Sequence, residues 1–276
     1  MAPVLETEFK LNDQDLGRII KLVYARSGIT LHEGKRELVI ARLQKRLRAL
    51  GHSSFSEYVR YVEQEDKGEE VVALLDAIAT NHTHFFREVS HFDFIVDRVA
   101  PAIPAGSPLR IWSAPCSTGE EPYTMAMVLQ SRAPHTAYQI LASDLSTKAL
   151  AAARGGVYKL AAVESLPRDI LKRFFEKGMG EQEGQARVSR ELRRDITFRH
   201  LNLLEIGDLG ERFEVIFCRN VMIYFDRAVQ QRVVTMLERH LAPGGFLFIS
   251  HSETLNGITH GLKWVAPATF QRGPGV

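Results

Sequence analysis

The segment that most constrains this chain is Leu109-Arg-Ile-Trp-Ser-Ala-Pro-Cys-Ser-Thr-Gly-Glu-Glu-Pro-Tyr123. It predicts a buried strand, a tight turn of small residues, and a helix opened by Pro122. A strand of a parallel sheet that ends at a helix N-terminus brings backbone N–H groups and the helix dipole to one point, where a ligand can be held. Glu120 and Glu121 occupy the place where a pyrophosphate would otherwise lie, so a diphosphate ligand is disfavoured. A cationic ligand carrying an ammonium and a sulfonium, such as S-adenosylmethionine, fits better. Only the last glycine of a Gly-x-Gly-x-Gly turn survives, as Gly119, and the dinucleotide fingerprint is excluded.

Around that segment the pattern changes along the chain. Before about residue 100 the apolar spacing is helical. Asn12 is placed to cap a helix with Leu16, Ile19, Ile20 and Val23 on one face, ending near Gly28. A second helix over 35–50 turns Val39, Leu43, Leu47 and Leu50 inward and stops at Gly51. Ser54 and Glu57 form a capping box for a third, backed by Tyr58, Val59 and Val62. A fourth covers Glu70 to Ile78, and Phe92, Ile95, Val96 and Val99 mark one ending before Pro101. Pro101, Pro104, Gly106 and Pro108 interrupt the pattern.

From Leu109 onward, strands at 109–114, 138–143, 195–200, 213–218 and 245–250 alternate with helices at 121–132, 146–154 and 226–241. The last of these is capped by Asp226 and stopped by Gly244-Gly245. Segments 262–266 and 268–272 close the chain as a strand pair. Alternation of this kind argues for a mostly parallel sheet with right-handed crossovers. The polar stretch 157–194, with Gly178, Gly180 and Gly184, reads as a small insertion. At 276 residues two domains are expected. The division is 1–80 helical, 81–108 a linking helix that carries site residues, and 109–276 the sheet domain with its insertion.

Composition narrows the class. A net charge of +2 gives no general attraction to nucleic acid or lipid. No apolar run reaches the roughly 20 residues of a membrane span, the N-terminus lacks a signal-peptide pattern, and a reducing cytoplasm is the expected setting. Cys116 and Cys218 offer neither a disulfide framework nor a metal-ligand spacing. His82 and His84 lack partner ligands, so no metal is expected.

Three further stretches carry candidate chemistry. Ala142-Ser-Asp144 ends the second strand, where a carboxylate can accept both ribose hydroxyls of an adenosine; the alternative is that Asp144 caps the next helix, a task Ser146 serves equally. Phe213-Glu-Val-Ile-Phe-Cys-Arg-Asn-Val-Met-Ile-Tyr-Phe-Asp226 delivers Arg219 and Asn220 to the end of the fourth strand. Asn220 can orient an amino acid moiety or simply fill a left-handed turn, and Tyr224 can stand over a reacting centre or pack as a core aromatic. In Asn81-His-Thr-His-Phe-Phe-Arg-Glu88, Thr83 and Arg87 are spaced to share a helical face, with Phe85 and Phe86 as anchors.

Together, Asn81-x-Thr83-x-Phe-Phe-Arg87-Glu88, Trp112-Ser-Ala-x-Cys-Ser-Thr-Gly-Glu-Glu-Pro-Tyr123, Ala142-Ser-Asp144 and Ile216-Phe-Cys-Arg-Asn-Val-Met-Ile-Tyr-Phe-Asp226 closely resemble the CheR family, the chemotaxis receptor methyltransferases. Ala152-Ala-Arg-x-Gly-x-Tyr158, Leu201-Asn-Leu-Leu204, Leu241-x-Pro-Gly-Gly and His251-Ser-Glu253 extend the likeness over nearly the whole chain. Pro115 departs from the family pattern, where a small residue is expected. The resemblance implies an α/β, Rossmann-like S-adenosylmethionine methyltransferase sheet with an N-terminal all-helical domain and a small inserted β-subdomain. It implies transfer of a methyl group to chemoreceptor glutamates, giving glutamyl methyl esters and S-adenosylhomocysteine, by an enzyme recruited to membrane receptor arrays. Cofactor-binding roles map onto Asn81, Thr83, Arg87, Glu121, Asp144, Asn202, Leu203, Asn220 and Val221. Glu121 would meet the amino acid portion, Asp144 the ribose, and Asn202 and Leu203 the adenine. Arg87 and Tyr224 would flank the transfer centre as catalytic residues.

The chemistry needs no more than this. A glutamate carboxylate is already ionised at neutral pH, so no general base is required. Alignment and exclusion of water supply up to roughly 7–11 kcal/mol in well-oriented systems. A basic face on the second helix, comprising Arg42, Lys45, Arg46 and Arg48, points away from the apolar stripe and is expected to steer acidic receptor helices. The resemblance also admits a receptor C-terminal tether peptide added to the insertion as a strand. Two other readings stay open: a methyltransferase for RNA or a small molecule, which the lack of a base-stacking aromatic array disfavours, and a non-catalytic module.

Overall fold

The computed structural model describes residues 9–64 and 66–274; the N-terminal stretch read for a signal pattern lies largely outside them. The chain forms two compact units, 1–80 and 81–276, so the segment 81–108 belongs to the second. No described helix is long and apolar enough to cross a membrane.

The first unit is helical: α1 (Asp13–Ser27), α2 (Arg36–Leu50), α3 (Phe55–Gln64) and α4 (Glu69–Ile78). Its ends follow from side-chain chemistry. The Asn12 side chain accepts from the Asp15 amide, and Gly28 takes the left-handed conformation that closes α1. At α3 the Ser54 hydroxyl accepts from Glu57 N at 3.2 Å, but the Glu57 carboxylate reaches back to the amide of Ser53 at 2.8 Å, one residue earlier than a capping box requires. Leu16, Ile19, Val39, Leu43, Leu47, Tyr58, Val59 and Leu74 close the core. Leu50, which the helical spacing turns inward, is instead 38% exposed as the last residue of α2.

Two of the four residues read as a basic face on α2, Arg42 and Arg46, do not face solvent freely, which corrects that expectation. Arg42 donates through Nη1 to the carbonyls of Ile78 and Ala79 (3.0 Å to the latter) and so caps the C-terminal end of α4. Arg46 pairs with Glu70, which is 4% exposed and also accepts from the Tyr58 hydroxyl at 2.8 Å. Lys45 and Arg48 are exposed, with the Arg48 guanidinium over the Phe9 ring at 5.7 Å.

The second unit opens with an irregular stretch, 81–88, then α5 (Val89–Phe94), a π-type turn over Ile95–Val99 and a final tight turn over Ala100–Ala102 that includes Pro101. In chain order there follow β1 (Leu109–Ser113), α6 (Glu120–Arg132), β2 (Tyr138–Asp144), α7 (Thr147–Gly155), β3 (Val157–Lys159), α8 (Arg168–Phe174), β4 (Phe175–Lys177), β5 (Gln185–Val188), α9 (Arg190–Arg193) and β6 (Ile196–His200). The chain continues through β7 (Phe213–Phe217), α10 (Arg227–His240), β8 (Leu241–Phe248), β9 (Lys263–Ala266) and β10 (Thr269–Gln271).

The main sheet has the order β6-β2-β1-β7-β8-β10-β9, parallel from β6 to β8 and antiparallel beyond. Ile111, Trp112, Ile140, Leu141, Val215 and Ile216 are buried, as expected for strands covered on both faces. The strand order reverses at β1, so the crevice of an open α/β sheet lies beyond the carboxyl ends of β1 and β7. The insertion is a three-stranded antiparallel sheet, β3-β5-β4. Gly244-Gly245 does not stop α10. The helix ends at His240, and the glycines lie in β8 where its register against β7 shifts; a Cβ on Gly245 would meet the Phe213 carbonyl at 2.9 Å.

Candidate functional site

The turn after β1 is held from below. The Trp112 indole N–H donates to Ser143 Oγ at 2.8 Å, locking β1 to β2 in the register that brings both carboxyl ends level. Ser117 adopts φ +49° and Gly119 φ +98° at the start of α6. A Cβ on Gly119 would lie 3.0 Å from Ala153 Cβ and 3.1 Å from the Tyr158 hydroxyl, which itself donates to the Thr118 carbonyl. This is why that glycine alone survives of the usual set.

Asp144 sits at the end of β2 and is 6% exposed. Its two oxygens accept from the Ser117 amide at 2.7 Å and the Ser146 amide at 2.8 Å, while the Ser146 side chain does the capping of α7. Asp144 therefore braces two turns and is not the helix cap. The Leu201 amide donates to the Asp144 carbonyl at 3.1 Å, which brings the Asn202–Leu203 turn beside it.

The two glutamates of α6 divide their tasks. Glu120 accepts from the Thr118 hydroxyl at 2.6 Å. Glu121 points along the sheet end, accepting from Ser113 Oγ at 2.7 Å and from Arg219 Nη1 at 3.1 Å. Burial pushes the Glu121 carboxyl up, opposed in part by the Arg219 charge and the Ser113 hydroxyl. Burial likewise raises the Cys116 and Cys218 thiols, so neither is an activated nucleophile.

Beyond β7, Asn220 takes φ +59°, a left-handed conformation that asparagine tolerates, and its amide nitrogen donates to Ser250 Oγ at 2.8 Å. The left-handed turn and a role at the site are thus compatible in one residue. Glu253 accepts from the backbone N–H groups of Asn220, Met222 and Ser250 at 2.9–3.0 Å, fixing the turn on which Val221 and Tyr224 stand.

The 81–88 stretch is not helical, so Thr83 and Arg87 share no helical face. It is held instead at three points. Phe86 N donates to Thr124 Oγ1 at 3.2 Å, the Arg87 carbonyl accepts from Arg219 Nη2 at 2.6 Å, and Phe85 stacks edge-on against Tyr158 at 4.9 Å. Phe86 and Glu88 both adopt positive φ, at +56° and +58°, and each costs on the order of 1 kcal/mol that the surrounding contacts must offset. The Arg87 side chain donates to the His82 carbonyl at 3.3 Å.

The sequence reading passed over one buried cluster. Arg219, 5% exposed, is shared between Glu121 and Glu88, and Glu88 also accepts from the Ser250 hydroxyl at 2.7 Å. Glu88 and Arg219 both stand in the quoted motifs, but nothing in one chain reveals that residues so far apart meet. Glu88, His91 and His251 place metal-capable atoms within 4.8 Å of one another, yet the Glu88 oxygens are committed to Arg219 and Ser250.

Two observations test the fit to the implied cofactor. Glu88 and Glu121 against the single Arg219 leave one surplus negative charge in a buried site, which a cationic ligand would balance. The Ser117 hydroxyl, in the turn after β1, is buried without a hydrogen-bond partner among the described residues, a polar group that a bound ligand would satisfy. An open doubly wound sheet with an acidic crevice at its switch point suits a cationic ligand such as S-adenosylmethionine, and the match to a SAM binding domain makes the chain an S-adenosylmethionine-dependent methyltransferase. Family models specify it further: the CheR methyltransferase SAM binding domain matches residues 81–269 and the CheR methyltransferase all-alpha domain matches residues 14–79. The chain belongs to the CheR methyltransferase family. Among its relatives, chemotaxis protein methyltransferase 2 of Pseudomonas aeruginosa is 40% identical over 95% of this chain and 94% of the relative. The chemotaxis protein methyltransferases of Escherichia coli (40%, 90% and 87%) and Borreliella burgdorferi (36%, 97% and 98%) are similar along their lengths.

Proposed function

We propose that this enzyme transfers a methyl group from S-adenosylmethionine to glutamate side chains of bacterial chemoreceptors, forming glutamyl methyl esters. The reading rests chiefly on the buried Glu88–Arg219–Glu121 cluster, whose surplus negative charge suits a ligand that presents an ammonium beside a sulfonium. The names of the chemotaxis relatives support the receptor as substrate.

The roles proposed are those the family resemblance implies. Glu121 accepts the ammonium, Asp144 the ribose hydroxyls, and Asn202 and Leu203 border the adenine. Asn220 orients the amino acid portion, and Asn81, Thr83 and Val221 complete the cofactor site. The cofactor supplies a methyl on a positively charged sulfur, a good leaving group. The acceptor carboxylate arrives ionised, so the protein has only to align it and exclude water. Arg87 orients that carboxylate: among the described residues its guanidinium donates only to the His82 carbonyl, leaving donors for a bidentate grip. Tyr224, half-buried in the turn after Asn220, shapes the approach. On the helical unit, Lys45 and Arg48 remain as exposed cations to steer an acidic receptor helix, whereas Arg42 and Arg46 serve their own fold. The small β3-β5-β4 sheet leaves β4 as an edge to which a receptor tether could add a strand.

Incubating receptor-containing membranes with the enzyme and methyl-labelled cofactor tests this reading. Incorporation lost in mild alkali, and much reduced in Arg87→Ala even at saturating cofactor, is the expected result. Label that resists alkali, or full activity in Arg87→Ala, contradicts it.

A further inference from the structure

Three of the residues assigned to the cofactor lie on three separate segments: Arg87 in the irregular stretch, Glu121 at the start of α6, and Asn220 beyond β7. None of the three touches another directly through the contacts described above. All three meet at Glu88 and Arg219. Arg219 donates to Glu121 Oε2 at 3.1 Å, to the Arg87 carbonyl at 2.6 Å and to Glu88 Oε2 at 3.0–3.2 Å. Glu88 Oε1 accepts from Ser250 Oγ at 2.7 Å, and Ser250 Oγ in turn accepts from the Asn220 amide at 2.8 Å.

The Arg219 guanidinium is packed over the rings of Phe217 and Phe92, at 5.3 and 5.8 Å, so its orientation is fixed by the core and by its two carboxylates. Glu88 itself stands in a left-handed conformation that no local preference explains. The strain is sustained only if its carboxylate is needed where it is.

We infer that Glu88 is a positioning residue for cofactor capture. It anchors Arg219 from the side opposite Glu121 and anchors Asn220 through Ser250, so that one carboxylate sets the geometry of three ligand-holding segments. The inference rests on the assignment of Glu121 and Asn220 to the cofactor.

Glu88→Gln keeps the shape and an acceptor for Ser250 but presents an amide N–H to the Arg219 fork. Affinity for S-adenosylhomocysteine, measured by calorimetry, is expected to fall by about 10–100-fold, the usual cost of one charge-assisted bond and its knock-on displacement. With saturating receptor substrate, KM for the cofactor should rise far more than kcat falls, because Glu88 touches no reacting atom. The loss in Glu88→Gln/Glu121→Gln should be smaller than the product of the single losses, since both act through Arg219. Glu214→Gln, which breaks the Arg110–Glu214 pair elsewhere on the sheet, controls for general loosening and should bind within about twofold of the parent. Parent-like affinity in Glu88→Gln, or independent losses in the double variant, overturns the inference. Failure of the parent enzyme to bind S-adenosylhomocysteine would instead overturn the site assignment beneath it.

Discussion

Glu121 carries a titration that can be followed directly. Burial raises its carboxyl above the usual carboxylate range, with Arg219 and Ser113 opposing the rise only in part. The ionised form is the one that accepts an ammonium. Cofactor affinity is therefore present above the raised pKa and is lost as the pH falls through it, starting closer to neutrality than a free glutamate near 4.3 would allow. The expected observation is an acid limb in the pH dependence of S-adenosylhomocysteine affinity that steepens toward tenfold per pH unit. Glu121→Gln should bind more weakly and lose that limb. An identical pH profile in the variant would remove Glu121 from the ammonium site. At this scale the sequence was legible wherever local structure is written into adjacent residues, as in the left-handed Gly119 that opens α6 and the Ser146 that caps α7. It was silent on Glu88 and Arg219, whose meaning depends on a contact spanning 131 positions. It also misjudged Arg42 and Arg46, because a basic residue on an amphipathic helix reads as solvated until a neighbouring helix presents a buried glutamate or a row of carbonyls.

Helix ends were readable because a cap is local chemistry: Asn12, Ser146 and Asp226 each accept from an amide three residues on. Element boundaries set by tertiary contact were not. The 81–88 stretch has helical spacing, yet it is pulled out of helix by its bonds to Thr124, Arg219 and Ser250. Gly244-Gly245 looked like a helix stop and lies in a strand pressed against β7. Within α5, His91 is 2% exposed and its pKa is lowered to about 4, first by burial and then by Arg219 and His251, against the raising effect of Glu88. A base whose folded pKa lies below its unfolded value stabilises nothing extra at high pH and costs stability once the unfolded chain takes up its proton. Stability should therefore fall as the pH drops from about 6.5 to 4, by roughly 2–3 kcal/mol from this residue alone. Denaturant titrations of the parent and His91→Gln check it. The variant should lose that much less over the window, and parallel curves would mean that His91 is not buried neutral.

For the whole molecule, the alternation of strands and helices after Leu109 foretold the sheet, because each crossover segment is long enough to return the chain in parallel. The helical unit was equally clear from its period. What the period does not reveal is which of its cations are spent internally. Of the four residues read as a basic face on α2, Lys45 and Arg48 are the exposed pair, and Lys45→Glu/Arg48→Glu is expected to slow receptor methylation, most at low salt, while leaving S-adenosylhomocysteine affinity unchanged. Equal methylation rates would reject steering by this helix. Arg46 is unsuitable for that test, since its loss strands Glu70 in the core at a cost of about 2–3 kcal/mol. The reaction itself is judged best by its product. Mass spectrometry of receptor peptides after incubation with the purified enzyme and S-adenosylmethionine should find single methyl additions on glutamate side chains that vanish on mild alkaline treatment. Peptides left unmodified, or methylated on nitrogen or on any residue other than glutamate, would contradict the account.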